Sequence, residues 1–235
     1  YLVIIMAWGI VYTLVIGWIY QVFGRRYRKG YRFLHGVVVA FVGAFFSGIT
    51  PSATGGQFAQ AYIMKKQGIK VSDGASILWA DFIVYQTTMM IYVTILFLLR
   101  FSYYSAQNAW FNLILLGYLI NVVVICALYT MALFSKVYIR LSGVIVNLLA
   151  RIHLVKNREE TLANWNLQLA SFTTEIKKLT KDKRLILETA GINVLRMTLQ
   201  FSLPFFIALM MGIHLQPGQL IDVIALSSFV MMANS

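Results

Sequence analysis

The sequence predicts an all-α protein. It reads as a polytopic membrane helix bundle with a re-entrant, broken-helix hairpin, forming half of an inverted repeat, plus an amphipathic interfacial and cytosolic helical segment. Three observations lead there. Of the 235 residues, 60% are hydrophobic and 12% charged, whereas a soluble domain carries about 25% charged residues; the mean hydropathy is +0.74. The apolar residues fall in blocks of spanning length, with the basic residues between them. One apolar block is interrupted by Thr50-Pro-Ser-Ala-Thr-Gly-Gly-Gln57, and non-helical backbone at membrane depth survives only where protein or a water-filled cavity surrounds it.

Residues 1–20 form the first span, in which Gly9, Thr13 and Gly17 recur every four residues as a small-residue seam for close helix approach. Arg25, Arg26, Arg28, Lys29 and Arg32 follow, and then the interrupted block over 33–64. If helical, its first arm, Phe33 to Ile49, is about 25 Å long and its second, Phe58 to Met64, about 10 Å, against a hydrocarbon core of about 30 Å. The second arm is too short to cross alone. Lys65, Lys66 and Lys70 close the block, and positive residues at both ends place both on the cytoplasmic face, which makes the block a re-entrant hairpin.

Residues 74–99 span outward and 109–135 return. Over 137–184 the pattern changes. Val137, Leu141, Val144, Leu148 and Ile152 mark one face of an interfacial helix, and Leu162, Trp165, Leu169, Phe172, Ile176 and Leu179 mark the apolar face of a cytosolic one. Residues 186–215 span outward with a kink at Pro204, and 219–235 head back in. The whole is one transmembrane domain over 1–235, expected to be truncated at both ends. Every Lys and Arg is then cytoplasmic except Arg100 and Arg196, which fixes the orientation of a multi-pass protein.

The net charge of +12 is distributed as topology determinants, which argues against nucleic acid as a partner. The single Cys126 excludes an intrachain disulfide, and with His35, His153 and His214 scattered along the chain neither a metal site nor a Cys/His nucleophile is expected. His35 reads as an interfacial residue at the start of the first arm. No Ser-His-Asp spacing, Walker motif or paired-carboxylate arrangement occurs, so these residues are expected to be non-enzymatic and to need no cofactor. Asp222 enters the last segment without an assigned role.

Binding chemistry concentrates in three places. Arg196 lies midspan, where a charge costs about 3 kcal/mol on insertion scales. It shares a stripe with Thr189, Asn193 and Gln200, and Asp81, Tyr85, Thr88 and Tyr92 form a similar stripe on the 74–99 span. Two polar stripes on apolar helices imply a polar groove, serving either a charged substrate or a structural Asp81–Arg196 ion pair. The third place is the interruption itself. Ser52 or Thr54 can cap a short helix beginning near Gly55, and the N–H groups of Gly55 and Gly56 can meet an anion at that helix start. In the plainer alternative the glycines make a tight turn, Gly55 in a left-handed conformation, which Gln57 seals.

Thr50-Pro-Ser-Ala-Thr-Gly-Gly-Gln57, with Ala61-Tyr62 and Lys65-Lys66-Gln-Gly68-Ile69 after it, resembles the membrane domain of the lysylphosphatidylglycerol synthase/flippase family. Arg196 followed by Ala208-Leu209-Met210-Met211-Gly212 is similar to the second half of that domain. The resemblance implies a bacterial inner-membrane protein that binds and translocates an anionic or aminoacylated phospholipid. It also implies that a fused lysyltransferase domain, where present, lies outside these residues. A transporter of a small soluble anion and a membrane anchor for a cytosolic aminoacyl-phosphatidylglycerol synthase stay open as alternatives. So do two protein partners, a second copy of the chain and a cytosolic protein docked on Leu162–Leu179.

Overall fold

The computed structural model describes residues 1–51, 55–99, 116–123 and 181–234, with isolated positions between 126 and 178. The described residues form helices and turns, with no strand. The principal helices are α1 (Leu2–Tyr27), α2 (Phe33–Ile49), α3 (Gly55–Lys66), α4 (Val71–Leu99), α5 (Lys183–Met210) and α6 (Gln219–Asn234). Helices α1, α4 and α5 contain 26, 29 and 28 residues and are long and apolar enough to cross a membrane. At 1.5 Å per residue they measure about 39, 44 and 42 Å. Phe45, Phe58, Ile91, Leu98 and Leu187 lie exposed on the outer surface, and polar Thr189, Asn193 and Gln86 are buried inside. This inverts the soluble pattern, as lipid solvent demands.

Helix α1 packs on α2, α4 and α5, α3 packs on α2 and α4, and α6 closes against α4 and α5. Of the two glycines in the expected seam on α1, Gly17 makes a close approach. A Cβ there would stand 2.8 Å from the Val37 backbone, and one on Gly36 would strike the Gly17 carbonyl oxygen, whereas Gly9 faces open space. Two apolar cores form. Ile19, Phe23, Val39, Met64, Ile77 and Leu185 build one, and Met89, Val93, Met197, Phe201, Phe229 and Met232 the other.

The interrupted block folds as an antiparallel helical hairpin. Gly43 meets Gln60, Ser47 meets Gly56 and Thr50 meets Gly55 across it. Its second helix starts at Gly55, as expected, and its twelve residues give about 18 Å, more than the apolar stretch Phe58 to Met64 alone and still short of a crossing. At the open end of the hairpin a polar latch ties the arms together. The Tyr31 hydroxyl donates to Gln67 Oε1 at 2.5 Å, Gln67 Nε2 donates to the His35 carbonyl at 3.0 Å, and Arg28 donates to the Gln67 carbonyl. His35 Nδ1 accepts from the Arg32 N–H at 3.1 Å and so caps α2. Tyr31 is 1% exposed, and burial pushes its hydroxyl from 10.0 up to about 12, against the lowering effect of Arg28.

Helix α5 stops at Met210, five residues before the expected end of its span. Gly212 adopts φ +84, and Ile213 N–H bonds the Ala208 carbonyl while Gly212 N–H bonds that of Leu209, a left-handed glycine stop. At the other end, Asp182 Oδ1 accepts from the Leu185 N–H at 3.0 Å, and its Oδ2 lies 2.8 Å from Arg26. The expected 109–135 span and 137–184 cytosolic segment lie largely outside the described residues; within them, 116–123 is helical, and the Tyr118 hydroxyl bonds that of Thr94 on α4.

Candidate functional site

The two polar stripes meet between the two apolar cores. There α1, α3, α4 and α5 surround a cavity of about 270 Å³ whose polar lining comprises Tyr12, Tyr20, Gln57, Gln60, Asp81, Tyr85, Arg196 and Gln200. Helical spacing delivers the chemistry. Asp81 and Tyr85 are four apart on α4, Arg196 and Gln200 four apart on α5, and Gln57 and Gln60 three apart on α3, so each pair shares a face.

Arg196 sits among tyrosines. Its Cζ lies 4.5 Å from the Tyr85 ring centroid and 5.7 Å from that of Tyr12, within cation–π range. Its Nε donates to the Tyr12 hydroxyl at 3.2 Å, and that hydroxyl donates on to Gln200 Oε1 at 3.1 Å. The guanidinium makes no further hydrogen bond among the described residues, so its Nη groups remain available. Gln60 Nε2 donates to the Tyr20 hydroxyl at 3.0 Å.

Asp81 is 7% exposed. It senses the Arg196 charge, but no salt bridge joins the two among the described residues. The structural ion pair considered above is therefore absent as a direct contact. Asn193 is fully buried and stands beside the Asp81 carboxylate, yet Asp81 Oδ1 and both polar atoms of Asn193 lack a hydrogen-bond partner among the described residues. Buried polar atoms without partners cost about 1–3 kcal/mol each, so these two acceptors and one donor make the corner a candidate site.

Ser52 and Thr54 lie outside the described residues. Among the described residues, Thr50 Oγ1 accepts from the Gly55 N–H at 3.0 Å at the start of α3. Positive φ among the described glycines occurs at Gly30, Gly68 and Gly212, not at Gly55. A Cβ on Gly55 would meet Thr50 Cγ2 at 2.5 Å, and one on Gly56 would meet the Gly43 carbonyl at 2.8 Å. Both glycines thus serve close packing of the hairpin arms. Gly55 also lines an apolar groove of about 560 Å³ with Val42, Phe46, Phe58 and Tyr62, on the face of α3 opposite Gln57 and Gln60.

Of the residues singled out from sequence, Gln57, Asp81, Tyr85, Arg196 and Gln200 line one cavity, with Asn193 beside it. Tyr12, Tyr20 and Gln60 were missed. Tyr12 and Tyr20 are eight apart on α1, and Gln60 follows Gln57 by three; reading those spacings as faces would have found all three.

These features define a helical membrane protein with a charged, tyrosine-lined cavity between its spans. The chain matches the family model described as Lysylphosphatidylglycerol synthase TM region over residues 1–235, its whole length, and it belongs to that family. No curated protein and no solved structure matches it.

Proposed function

We propose that this protein is a multi-pass lipid translocase of the bacterial inner membrane, which moves an anionic or aminoacylated phospholipid between leaflets. The observation that carries this reading is the cavity holding Asp81 and Arg196 inside an apolar bundle. Charges at that depth are expensive and mark the path of a polar substrate. The neighbouring groove supports a lipid over a soluble solute: α3 presents Gln57 and Gln60 to the polar cavity and Gly55, Phe58 and Tyr62 to an apolar groove. A headgroup on one face and acyl chains on the other suit an amphipathic ligand. Under this reading the hairpin of α2 and α3 is re-entrant, its tip inside the bilayer and its latched base on the cytoplasmic side. The chemistry is transport, and an aminoacyl-transfer step belongs to a domain other than this one.

Reconstitution tests it. Proteoliposomes carrying fluorescent phosphatidylglycerol or lysylphosphatidylglycerol should expose inner-leaflet label to an external quencher faster than protein-free vesicles. Rates equal to those of empty vesicles for both lipids overturn the reading.

A further inference from the structure

Arg196 meets the cavity with its guanidinium held from α1. Trp8 and Tyr12 are four apart on α1 and share a face. Trp8 Nε1 donates to the Leu199 carbonyl at 3.0 Å, which ties that face to α5 next to Gln200. The Tyr12 hydroxyl then accepts from Arg196 Nε at 3.2 Å and donates to Gln200 Oε1 at 3.1 Å. A phenolic oxygen whose hydrogen is committed to Gln200 turns a lone pair toward Nε. The Tyr85 ring centroid lies 4.5 Å from Cζ, so an aromatic face covers the guanidinium as well.

A guanidinium offers an oxyanion two forks, Nε with one Nη or the two Nη together. Tyr12 occupies Nε and so closes the first fork. The second is open: the Nη groups make no hydrogen bond among the described residues, and Arg196 lines the cavity. An arginine that served only to hold the bundle together would have its donors filled at this depth. A phosphodiester spreads one negative charge over two free oxygens, and that pair matches the end-on fork through two parallel bonds. An ammonium at the same place is a point charge and imposes no such geometry.

We infer that Tyr12 is a positioning residue for recognition of the lipid phosphate. It closes the Nε fork of Arg196 and leaves the two Nη groups for the phosphodiester, and Gln200 acts through the Tyr12 hydroxyl, not on the lipid. The inference rests on the lipid reading above and deepens it. It concerns the phosphate that anionic and aminoacylated phospholipids share, so it holds for either headgroup; the same diester in soluble form is glycerophosphoglycerol.

The test uses the full chain in dodecyl maltoside, a detergent without phosphate, titrated with phosphatidylglycerol or lysylphosphatidylglycerol, with bound lipid counted by native mass spectrometry. Tyr12→Phe, which removes only the hydroxyl, should raise the half-saturating concentration of both lipids about tenfold, equivalent to about 1.4 kcal/mol. The maximal lipid bound per protein should not change. Gln200→Leu should raise half-saturation about threefold, and the double variant no further than Tyr12→Phe alone, as expected of residues acting in series. Arg196→Lys should bind as weakly as Arg196→Ala. Diacylglycerol, which has no phosphate, should respond to none of these changes.

A lower maximum at unchanged half-saturation in Tyr12→Phe marks a structural role and overturns the inference, as does a shift confined to one of the two lipids. Additive losses in the double variant place Gln200 on the lipid itself and overturn the relay. Binding by Arg196→Lys at the level of the unmutated chain overturns the fork. Each of these results leaves the translocase reading standing where the unmutated chain flips lipid in proteoliposomes. Glycerophosphoglycerol binding as tightly as the lipids supports the fork and sinks the lipid reading. Binding of neither lipid by the unmutated chain overturns the inference, and absence of flipping as well overturns the reading beneath it.

Discussion

Two polar clusters flank α3, and they are built on opposite principles. At the base of the hairpin, Arg28, Tyr31, His35 and Gln67 close on one another, and the Tyr31 ring is packed over Gly24. On the inner face of α3, Gln57, Gln60, Asp81 and Arg196 line a cavity with Asn193 beside it, and three polar atoms of Asp81 and Asn193 have no partner among the described residues. A satisfied network rigidifies, while a partly satisfied one is costly unless something completes it. The residue types are similar in the two clusters. What separates glue from site is whether the hydrogen bonds close.

The comparison breaks most easily through packing, which both clusters depend on. Gly36→Leu should have the largest effect, because even a Cβ at Gly36 strikes the Gly17 carbonyl. Such overpacking costs about 1–3 kcal/mol and occasionally more, and the purified protein should lose its monodisperse peak on gel filtration. Gly56→Ala, which crowds Ser47 and the Gly43 carbonyl, should lower the thermal midpoint before it alters lipid retention. Loss of lipid with an unchanged midpoint would return Gly56 to the anion-binding role considered from sequence.

The site itself is sharpened by Arg196→Ala. Flipping should fall at least about tenfold, the effect of losing about 1.4 kcal/mol, and stability should fall too, since Asp81 is left without its counter-charge. The double variant Arg196→Ala with Asp81→Asn should recover the thermal midpoint and not the flipping. Recovery of both would make the pair structural.

Gln67→Ala addresses the latch. It removes the bonds to the Tyr31 hydroxyl and the His35 carbonyl, worth about 1–3 kcal/mol together, and should leave lipid retention unchanged. Gln60→Ala should show the reverse balance. The latch also carries a pH signature. Burial raises the Tyr31 hydroxyl from 10.0 to about 12, so the folded state holds that proton more tightly than the unfolded chain does. Its contribution is complete below pH about 10 and is lost as pH rises toward about 12. Tyr31→Phe should flatten that alkaline decline in a urea titration; an unchanged decline would assign it to other groups. The smallest effect belongs to Asp182→Asn. Asparagine keeps the α5 cap and loses only the exposed ion pair to Arg26, worth about 0–1 kcal/mol, so the midpoint should barely move.

Much of this was legible in the sequence, for physical reasons. Apolar blocks and their basic flanks report the solvent directly, so the all-helical membrane bundle, α1, α4, α5 and the broken hairpin could be read from composition and periodicity. Asp81, Tyr85, Arg196 and Gln200 were legible because charged and polar residues are rare in such helices. Helix ends were less so: the left-handed Gly212 ends α5 at Met210, and Thr50 Oγ1 takes the Gly55 N–H at the start of α3. Tyr12 and Tyr20 hid in an apolar helix because tyrosine is ambiguous between membrane interface and cavity wall. The difference between packing and anion binding at Gly55 and Gly56 depends on what lies opposite them, and one chain segment read alone carries no record of its neighbour.

Pro204 has a mechanical consequence. It offers no N–H to the Gln200 carbonyl one turn below, and just there Trp8 Nε1 and Ser202 Oγ both reach the Leu199 carbonyl, at 3.0 and 3.2 Å. One backbone bond is thus missing between the half of α5 carrying Asn193, Arg196 and Gln200 and the half carrying Phe205 and Phe206, and Phe206 leans on Trp8 with ring centroids 5.0 Å apart. A bend at this level would have one helical hydrogen bond fewer to break, because Pro204 never made it.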